Sequence, residues 1–117
     1  MSESIAQPAP GELVFFAGYV ALDPDGKMVG GGDFAAQLRQ AFANLGLLLA
    51  AAGCSPASVL KVTCFVVGVT RERPLAIRTE RDAFFTGPRP TATLHGVAAL
   101  FDPDALIEIE VIAACAR

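Results

Sequence analysis

The segment Leu106-Ile-Glu-Ile-Glu-Val-Ile-Ala113 decides the fold, because polar and apolar side chains alternate along it. Successive side chains of a β-strand point to opposite faces, so Glu108 and Glu110 share one face and the aliphatic residues around them share the other. The two carboxylates have two interpretations. They form a solvated or edge-protecting face, or one of them lies in a cleft where desolvation raises its pKa and fits it for proton transfer.

Three other segments predict strands, and the longest periodic segment predicts a helix. Val59–Val67 is rich in β-branched residues, and Leu13–Gly18 and Thr91–Ala99 have the composition of further strands. Between Asp33, a suitable N-cap, and Gly53, a suitable C-terminal stop, apolar residues recur at i, i+4 and i+7. We therefore expect one long amphipathic helix there.

The remaining segments complete the order β, short β, α, β, α, β, β. Asp23-Pro-Asp-Gly26 predicts a turn, from which a short strand, Lys27–Val29, returns. Ser55–Ser58 predicts a single capped turn, and Arg71–Phe85 a second amphipathic helix. Two such helices and a sheet imply an α+β domain in which the helices cover one face of the sheet.

The composition predicts a single domain that forms an oligomer. The 117 residues fit one domain over 1–117, with 1–11 as an extended lead-in. Hydrophobic residues make up 53% of the chain and charged residues only 18%, against about 25% charged in average soluble domains. We expect the apolar excess to be buried between subunits, because obligate interfaces are more apolar than ordinary surface. A monomer with a tolerant surface is the alternative.

Charge and hydropathy argue against two classes of partner. The formal net charge is -3 and no basic run occurs, whereas nucleic-acid binding relies on Lys and Arg to neutralise phosphates. The longest apolar stretch, Leu45–Cys54, is shorter than the roughly 20 residues that span a bilayer. The N-terminal MSESIAQPAPGE lacks the apolar core of a signal peptide. We expect no nucleic-acid partner and no membrane partner.

Cysteine and histidine usage predicts a cytoplasmic protein without a metal. Cys54, Cys64 and Cys115 are odd in number and contain no C-x-x-C pair, so reduced thiols in the cytoplasm are the simplest interpretation. His95 is the only histidine, which makes a metal site improbable, and we interpret it as structural. Gly30–Gly32 lacks the Walker lysine and the G-x-G-x-x-G spacing, so we interpret it as a turn before a capped helix.

Taken together, these features resemble the RidA/YjgF family, also known as endoribonuclease L-PSP-like proteins or reactive-intermediate deaminases. The resemblance runs from about Gly11 to Ala113 and rests on the order and spacing of several segments. These segments are Leu13-Val-Phe-Phe-Ala-Gly18, Leu22-Asp-Pro-Asp-Gly26, Val29-Gly-Gly-Gly-Asp33, a helix with Gln37 and Asn44-Leu45 that ends at Ala51-Ala-Gly53, Val59-Leu-Lys-Val-Thr63, Phe84-Phe85, Arg89-Pro90 and the closing Leu106-Ile-Glu-Ile-Glu-Val-Ile-Ala113.

The resemblance implies a chorismate-mutase-like α+β fold with a mixed sheet, and a homotrimer with a central sheet barrel and clefts between subunits. The family archetype is a cofactor-free hydrolase that turns enamines and imines derived from amino acids into keto acids and ammonia. In it a glutamate at the position of Glu108 positions the attacking water, an arginine pairs with the substrate carboxylate, and backbone at the position of Gly18 contacts the substrate. We therefore expect no cofactor and a small-molecule metabolite as partner.

Several site positions depart from this archetype. Ala92 stands in the place of the arginine, and a methyl group cannot grip a carboxylate bidentately. Ala17 replaces a serine, and Leu94 a frequent cysteine. By alternation Arg89 is predicted to point away from the face of Ala92. Arg78 stands where the archetype commonly has an asparagine, and our hypothesis is that it supplies the lost cation from another side. The candidate site comprises the catalytic Glu108 and the substrate-binding Gly18, Ala17, Arg78, Ala92 and Leu94.

Three functions fit these residues. The first is hydrolysis of a small imine, enamine or related C–N substrate, with Glu108 as the acid/base. The second is a trimer that binds a metabolite in the same clefts without catalysis. The third, a ribonuclease, is opposed by the acidic balance of the chain and by the lack of a basic groove.

Overall fold

The computed structural model describes residues 11–115 and contains one mixed four-stranded sheet with two α-helices on one face. The strands, in chain order, are β1 Glu12–Tyr19, β2 Val59–Val67, β3 Thr91–Val97 and β4 Ile107–Cys115. The helices are α1 Phe34–Ala51 and α2 Glu72–Phe84, with a 3₁₀ turn at Pro56–Ser58. The spatial order is β1-β4-β2-β3, with β2 parallel to β3 and β4 antiparallel to β1 and β2. The predicted α+β class and mixed sheet are confirmed.

Helix α1 begins and ends where the sequence predicts. The Asp33 carboxylate accepts a hydrogen bond from the Ala36 backbone N–H at 3.1 Å, which satisfies one of the unpaired donors of the first turn. Gly53 has φ of 75°, a left-handed conformation that ends the helix and suits glycine. The apolar stripe of the helix, centred on the fully buried Leu45, then faces the sheet.

The hydrophobic core lies between the two helices and the central strands. In β4 the residues Ile107, Ile109 and Val111 are buried against the helices, as the alternation predicts. Among residues 11–115 no helix covers the opposite face of the sheet, and on β1 this face leaves Leu13 59% and Phe15 71% exposed. This open face therefore carries large apolar side chains that residues 11–115 leave exposed. Within residues 11–115, no helix is both long enough and apolar enough to cross a bilayer.

A fully buried glutamine ties α1 to the start of β4. The Gln37 side chain donates to the carbonyl oxygens of Asp104 at 2.9 Å and Gly30 at 3.3 Å, and accepts from the Leu106 N–H at 2.8 Å. Each bond satisfies a backbone group that would otherwise be left without a partner near the core. Gln37 thereby fixes the entry of β4, the strand that carries Glu108.

The predicted short strand Lys27–Val29 is not formed as a strand. Only an isolated bridge joins Leu22 and Met28. The reason is local: the Asp23 carboxylate accepts from the N–H groups of Asp25 and Lys27, both at 2.9 Å, and so holds a tight turn. Backbone hydrogen bonds from the Asp23 N–H to the Lys27 oxygen and from the Val29 N–H to the Ala21 oxygen, both 2.8 Å, flank this bridge. The chain then bends into the glycine run before α1, so the pairing extends no further.

The prediction of reduced thiols is wrong for two of the three cysteines. Cys54, just after α1, and Cys115, at the end of β4, form a disulfide with their Cα atoms 5.1 Å apart. Cys64 is free and buried in β2, as its place in mid-strand predicts. Disulfides persist mainly in oxidising compartments, so the thiols no longer support the cytoplasmic location inferred from the sequence.

Candidate functional site

The Glu108 carboxylate lies directly over the backbone of Gly18. A Cβ atom placed on Gly18 would be 2.5 Å from Oε2 of Glu108 and 2.8 Å from its carboxyl carbon. Real Cβ atoms do not approach other atoms this closely, so the glycine is what lets the carboxylate occupy this position. Glu108 is half-buried, and its carboxylate lies against Gly18.

A β-bulge in β1 creates this contact. The pairing of β1 with β4 shifts between Phe16, which faces Val111, and Tyr19, which faces Ile109. Two residues of β1, Ala17 and Gly18, thus lie opposite one residue of β4. Bulges of this kind bend a strand and redirect its neighbours, and they occur often beside functional sites.

The open face of the sheet supplies the surroundings of Glu108. In the pairing register Phe65 of β2 lies next to Glu108, and His95 of β3 lies next to Phe65. The rings of Phe65 and His95 stack with their centroids 5.6 Å apart. His95, which we interpreted as a structural histidine, is exposed beyond this stack. Ala17 is exposed on the same face, where it lines a cavity of about 310 Å³ with Glu110.

The other predicted site residues lie on the opposite, helix-covered face. Ala92 pairs with Val62 and Leu94 with Cys64, both of which face the core. Ala92 and Leu94 line a groove of about 240 Å³ between β3 and α2, together with Arg78 and Arg81. We call this the arginine groove, defined by Arg78, Arg81, Ala92 and Leu94. The structure therefore groups the predicted residues into two half-sites rather than one.

The prediction that Arg89 points away from Ala92 is wrong. Arg89 and Ala92 line the same small cavity of about 110 Å³ at the end of the arginine groove. Side-chain alternation applies only within a strand, and β3 begins at Thr91, two residues after Arg89. Arg89 forms an ion pair with Asp82 of α2, which holds its side chain towards the helix.

Two residues near the half-sites were not predicted from the sequence. Arg81 lies one turn after Arg78, and this i, i+3 spacing is the signal that could have found it. Tyr19 follows Gly18, and its buried hydroxyl has no hydrogen-bond partner among the described residues. Burial, with a smaller contribution from Cys64, raises the pKa of Tyr19 well above its usual range, so this hydroxyl stays protonated.

In residues 11–115, no group of three or more His, Cys, Asp or Glu side chains is placed to hold a metal ion. Among the described residues, Glu108 carries the charge against Gly18, and Arg78 and Arg81 carry the charges in the arginine groove.

Replacing Gly18 by alanine is expected to displace the Glu108 carboxylate without unfolding the chain. The added methyl would overlap Oε2, and the flexible glutamate side chain can move aside more cheaply than the backbone. Ligand binding or turnover should therefore fall at least about tenfold, while the melting temperature changes little. Gly87→Ala is the matched control, because its Cβ would meet nothing within 4 Å. Equal behaviour of the two variants would contradict the proposed role of the Gly18 contact.

A family model and the sequences of known proteins both match this chain. A family model described as Endoribonuclease L-PSP matches residues 2–115. The chain is 36% identical over 103 residues to the RutC family protein YjgH of Escherichia coli K12, covering 88% of this chain and 76% of that protein. It is 34% identical over 101 residues to a 2-iminobutanoate/2-iminopropanoate deaminase of Rattus norvegicus, covering 86% and 71%.

The solved structures that resemble this fold include one of the sequence relatives, YjgH. A protein of the conserved Rid family from Yersinia pestis, YyfB, of unknown function, superimposes with a TM-score of 0.83 at 40% identity. The match covers 90% of this chain and 80% of that one. YjgH superimposes with a TM-score of 0.78 at 35% identity, over 92% of this chain and 79% of that chain.

Proposed function

Since the chain belongs to the endoribonuclease L-PSP, or RidA/YjgF, family, we propose that it hydrolyses a small imine or enamine in clefts between the subunits of a homotrimer. The observation that carries this proposal is the Glu108 carboxylate held over the Gly18 backbone. Relatives named as 2-iminobutanoate/2-iminopropanoate deaminases support the reaction class.

Glu108 acts in this reaction as a general base and then as a general acid. Its carboxylate accepts a proton from water as the water oxygen bonds to the imine carbon. That proton passes to the nitrogen and gives a carbinolamine. The carboxylate then moves the proton of the carbinol hydroxyl to the nitrogen, so that the C–N bond breaks and ammonia leaves as the carbonyl forms. An enamine enters the same route after protonation at carbon converts it to the imine. A carboxylate within hydrogen-bond reach of the water performs both transfers as base and then as acid.

The two half-sites are the reason to propose that the site needs two chains. Gly18 and Glu108 lie on the open face of the sheet, whereas Ala92 and Leu94 lie on the helix-covered face. Both groups cannot contact one small molecule within a single chain. A neighbouring subunit that packs on the open face and brings its arginine groove to Glu108 joins them.

The open face also has the character of an interface. Leu13 and Phe15 are large, apolar and exposed on β1, and single chains of soluble proteins rarely leave such patches uncovered. Obligate interfaces are more apolar than the rest of the surface, which matches the high hydrophobic fraction of the chain.

Light scattering after size exclusion should give three times the chain mass of 12.1 kDa. A mass of 12.1 kDa would contradict the proposed assembly.

A coupled assay tests the reaction itself. An amino-acid oxidase generates a panel of imino acids, and semicarbazide traps those that are not hydrolysed. The proposal predicts that the protein lowers the yield of semicarbazone for at least one short aliphatic imine. No effect on any member of the panel would contradict imine hydrolysis.

Binding of a metabolite without catalysis is the second candidate function. The alanine at position 92 favours it. The archetypal arginine at this position pairs with the substrate carboxylate, and here a methyl group stands in its place. We propose that Arg78, exposed on α2 and in the same groove as Ala92, contributes part of the missing charge. Unchanged ligand affinity in the Arg78→Ala variant would contradict the proposed contribution of Arg78.

A further inference from the structure

Beside the disulfide, the sheet ends in a ribbon of only two strands. The pairing of β4 with β2 stops at Ala113, which lies opposite the first residue of β2. The next two residues of β4, 114–115, pair with residues 12–13 of β1 and with no other strand of the described chain. We call these four residues the ribbon end. Two-stranded ribbons are only marginally stable in water, so the ribbon end needs a further anchor.

The Cys54–Cys115 disulfide is that anchor. Cys115 belongs to the ribbon end and Cys54 lies just after α1, so the bond ties the ribbon end to the helix layer. The spatial order β1-β4-β2-β3 leaves β1 at an edge, where β4 is its only neighbour in the described sheet. The anchoring of β4 therefore also decides how firmly the first residues of β1 are held.

The same part of β1 carries the exposed apolar patch of the open face. Leu13 belongs to the ribbon end, and Phe15 lies two residues further along the strand, on the same face. A strand presents such side chains as one surface only while its backbone is held in the pleat. Opening of the ribbon end therefore breaks up the surface by which we propose that subunits associate.

The disulfide is placed to exchange with thiols in solution. Cys54 is half-exposed, whereas Cys115 is 4% exposed, and disulfides that solution thiols can reach are the labile ones. A thiolate attacks Sγ of Cys54, the S–S bond breaks, and Cys115 leaves as a thiolate that takes up a proton. A second thiol attacks the mixed disulfide, which frees Cys54 as a thiol and releases the reductant as its own disulfide. Two electrons and two protons thus enter the chain, and a small disulfide such as oxidised glutathione reverses the step.

We propose that the Cys54–Cys115 pair is a redox switch of subunit assembly. In the oxidised chain the ribbon end is closed and the apolar patch is intact, so subunits associate. In the reduced chain the ribbon end opens, and the trimer dissociates at concentrations at which the oxidised trimer persists. The domain itself stays folded, because most of the core lies between the helices and the central strands. This inference rests on the homotrimer of the proposed function and adds its regulation.

Hydrogen exchange and light scattering, at one temperature below the melting temperature of the reduced protein, test the switch. With dithiothreitol, the amides of residues 12–15 should exchange at least about tenfold faster than with oxidised glutathione, because the ribbon end opens locally. The α1 amides around the fully buried Leu45 should not change. At the same dilute concentration the mass should fall from three chains to one chain of 12.1 kDa. Later addition of oxidised glutathione should restore both readings.

Two variants control the test. Cys64→Ala removes the free thiol and keeps the disulfide, so it should respond to the redox conditions as the wild type does. The double variant Cys54→Ala, Cys115→Ala should match the reduced wild type under both conditions, because it has no bond to break.

The outcomes separate this inference from the proposed function. Equal exchange of residues 12–15 in the two redox states would overturn the switch. Equal acceleration in α1 would also overturn it, because the whole domain would then be opening. A trimer under both conditions would overturn the switch and leave the proposed function standing. A single chain of 12.1 kDa under both conditions would overturn the homotrimer as well.

Discussion

Replacing Glu108 by glutamine is expected to lower kcat/KM for imine hydrolysis by at least about a hundredfold, the usual contribution of a positioned acid/base. Glutamine keeps the shape of the side chain over Gly18 but cannot accept and return a proton. The fold should persist, because Glu108 makes no hydrogen bond or ion pair within residues 11–115 that its loss would break. Loss of semicarbazone suppression in the coupled assay measures the effect.

Glu110→Gln is the matched control for this prediction. Glu110 lies two residues further along β4, on the same face, and it is exposed. No glycine backbone holds it as Gly18 holds Glu108. Glu110→Gln should keep nearly full activity. Equal losses in the two variants would show that a charge on the open face matters, rather than a carboxylate at one place.

Reduction of the Cys54–Cys115 disulfide is expected to have the largest effect on stability. The bond closes a loop with a sequence separation of 61, and restricting a loop of that length in the unfolded chain contributes about 4 kcal/mol in the chain-entropy model. For a domain of this size the melting temperature should fall by more than about 10 °C on reduction.

The double variant Cys54→Ala, Cys115→Ala provides the control for reduction. It should melt near the temperature of the reduced wild type, and dithiothreitol should not lower it further. Thiol titration of the unfolded, unreduced wild type should find one free thiol, that of Cys64. Three titratable thiols, with melting that does not depend on reductant, would contradict the disulfide.

Local patterns predicted most of the fold. The β-branched run gave β2 with its observed ends, Val59 and Val67. Asp33 and Gly53 bounded α1 because caps and left-handed stops act within a few residues of the helix end. The failure at Lys27–Val29 was also local, since pairing across the Asp23 turn stops at the single bridge between Leu22 and Met28.

Contacts between distant segments could not be predicted from the same patterns. Cys54 and Cys115 carry no spacing signal, and only the packing of α1 on β4 brings them together. The position of Arg89 failed because alternation was extended past the start of β3. The resemblance directed attention to Ala92 and Arg78, whereas the presence of Arg81 in the same groove appears only in the folded structure.

The sequence analysis expected clefts between subunits but did not predict which site residues lie on which face of the sheet. The sequence placed Gly18, Glu108, Ala92 and Leu94 in one list, and the structure divides them between two faces of the sheet. This division is the physical reason for the central claim, that one site takes Glu108 from one chain and the arginine groove from its neighbour.

Co-assembly of two inactive variants tests that claim most directly. Glu108→Gln removes the proton acceptor, and Ala92→Trp fills the arginine groove, so each variant alone should be inactive. If each site draws its halves from two chains, every mixed trimer regains one intact cleft, which is about one cleft in four over a randomly assembled equal mixture. If both halves belong to one chain, no mixed trimer contains an intact site, and a mixture without activity would contradict the account.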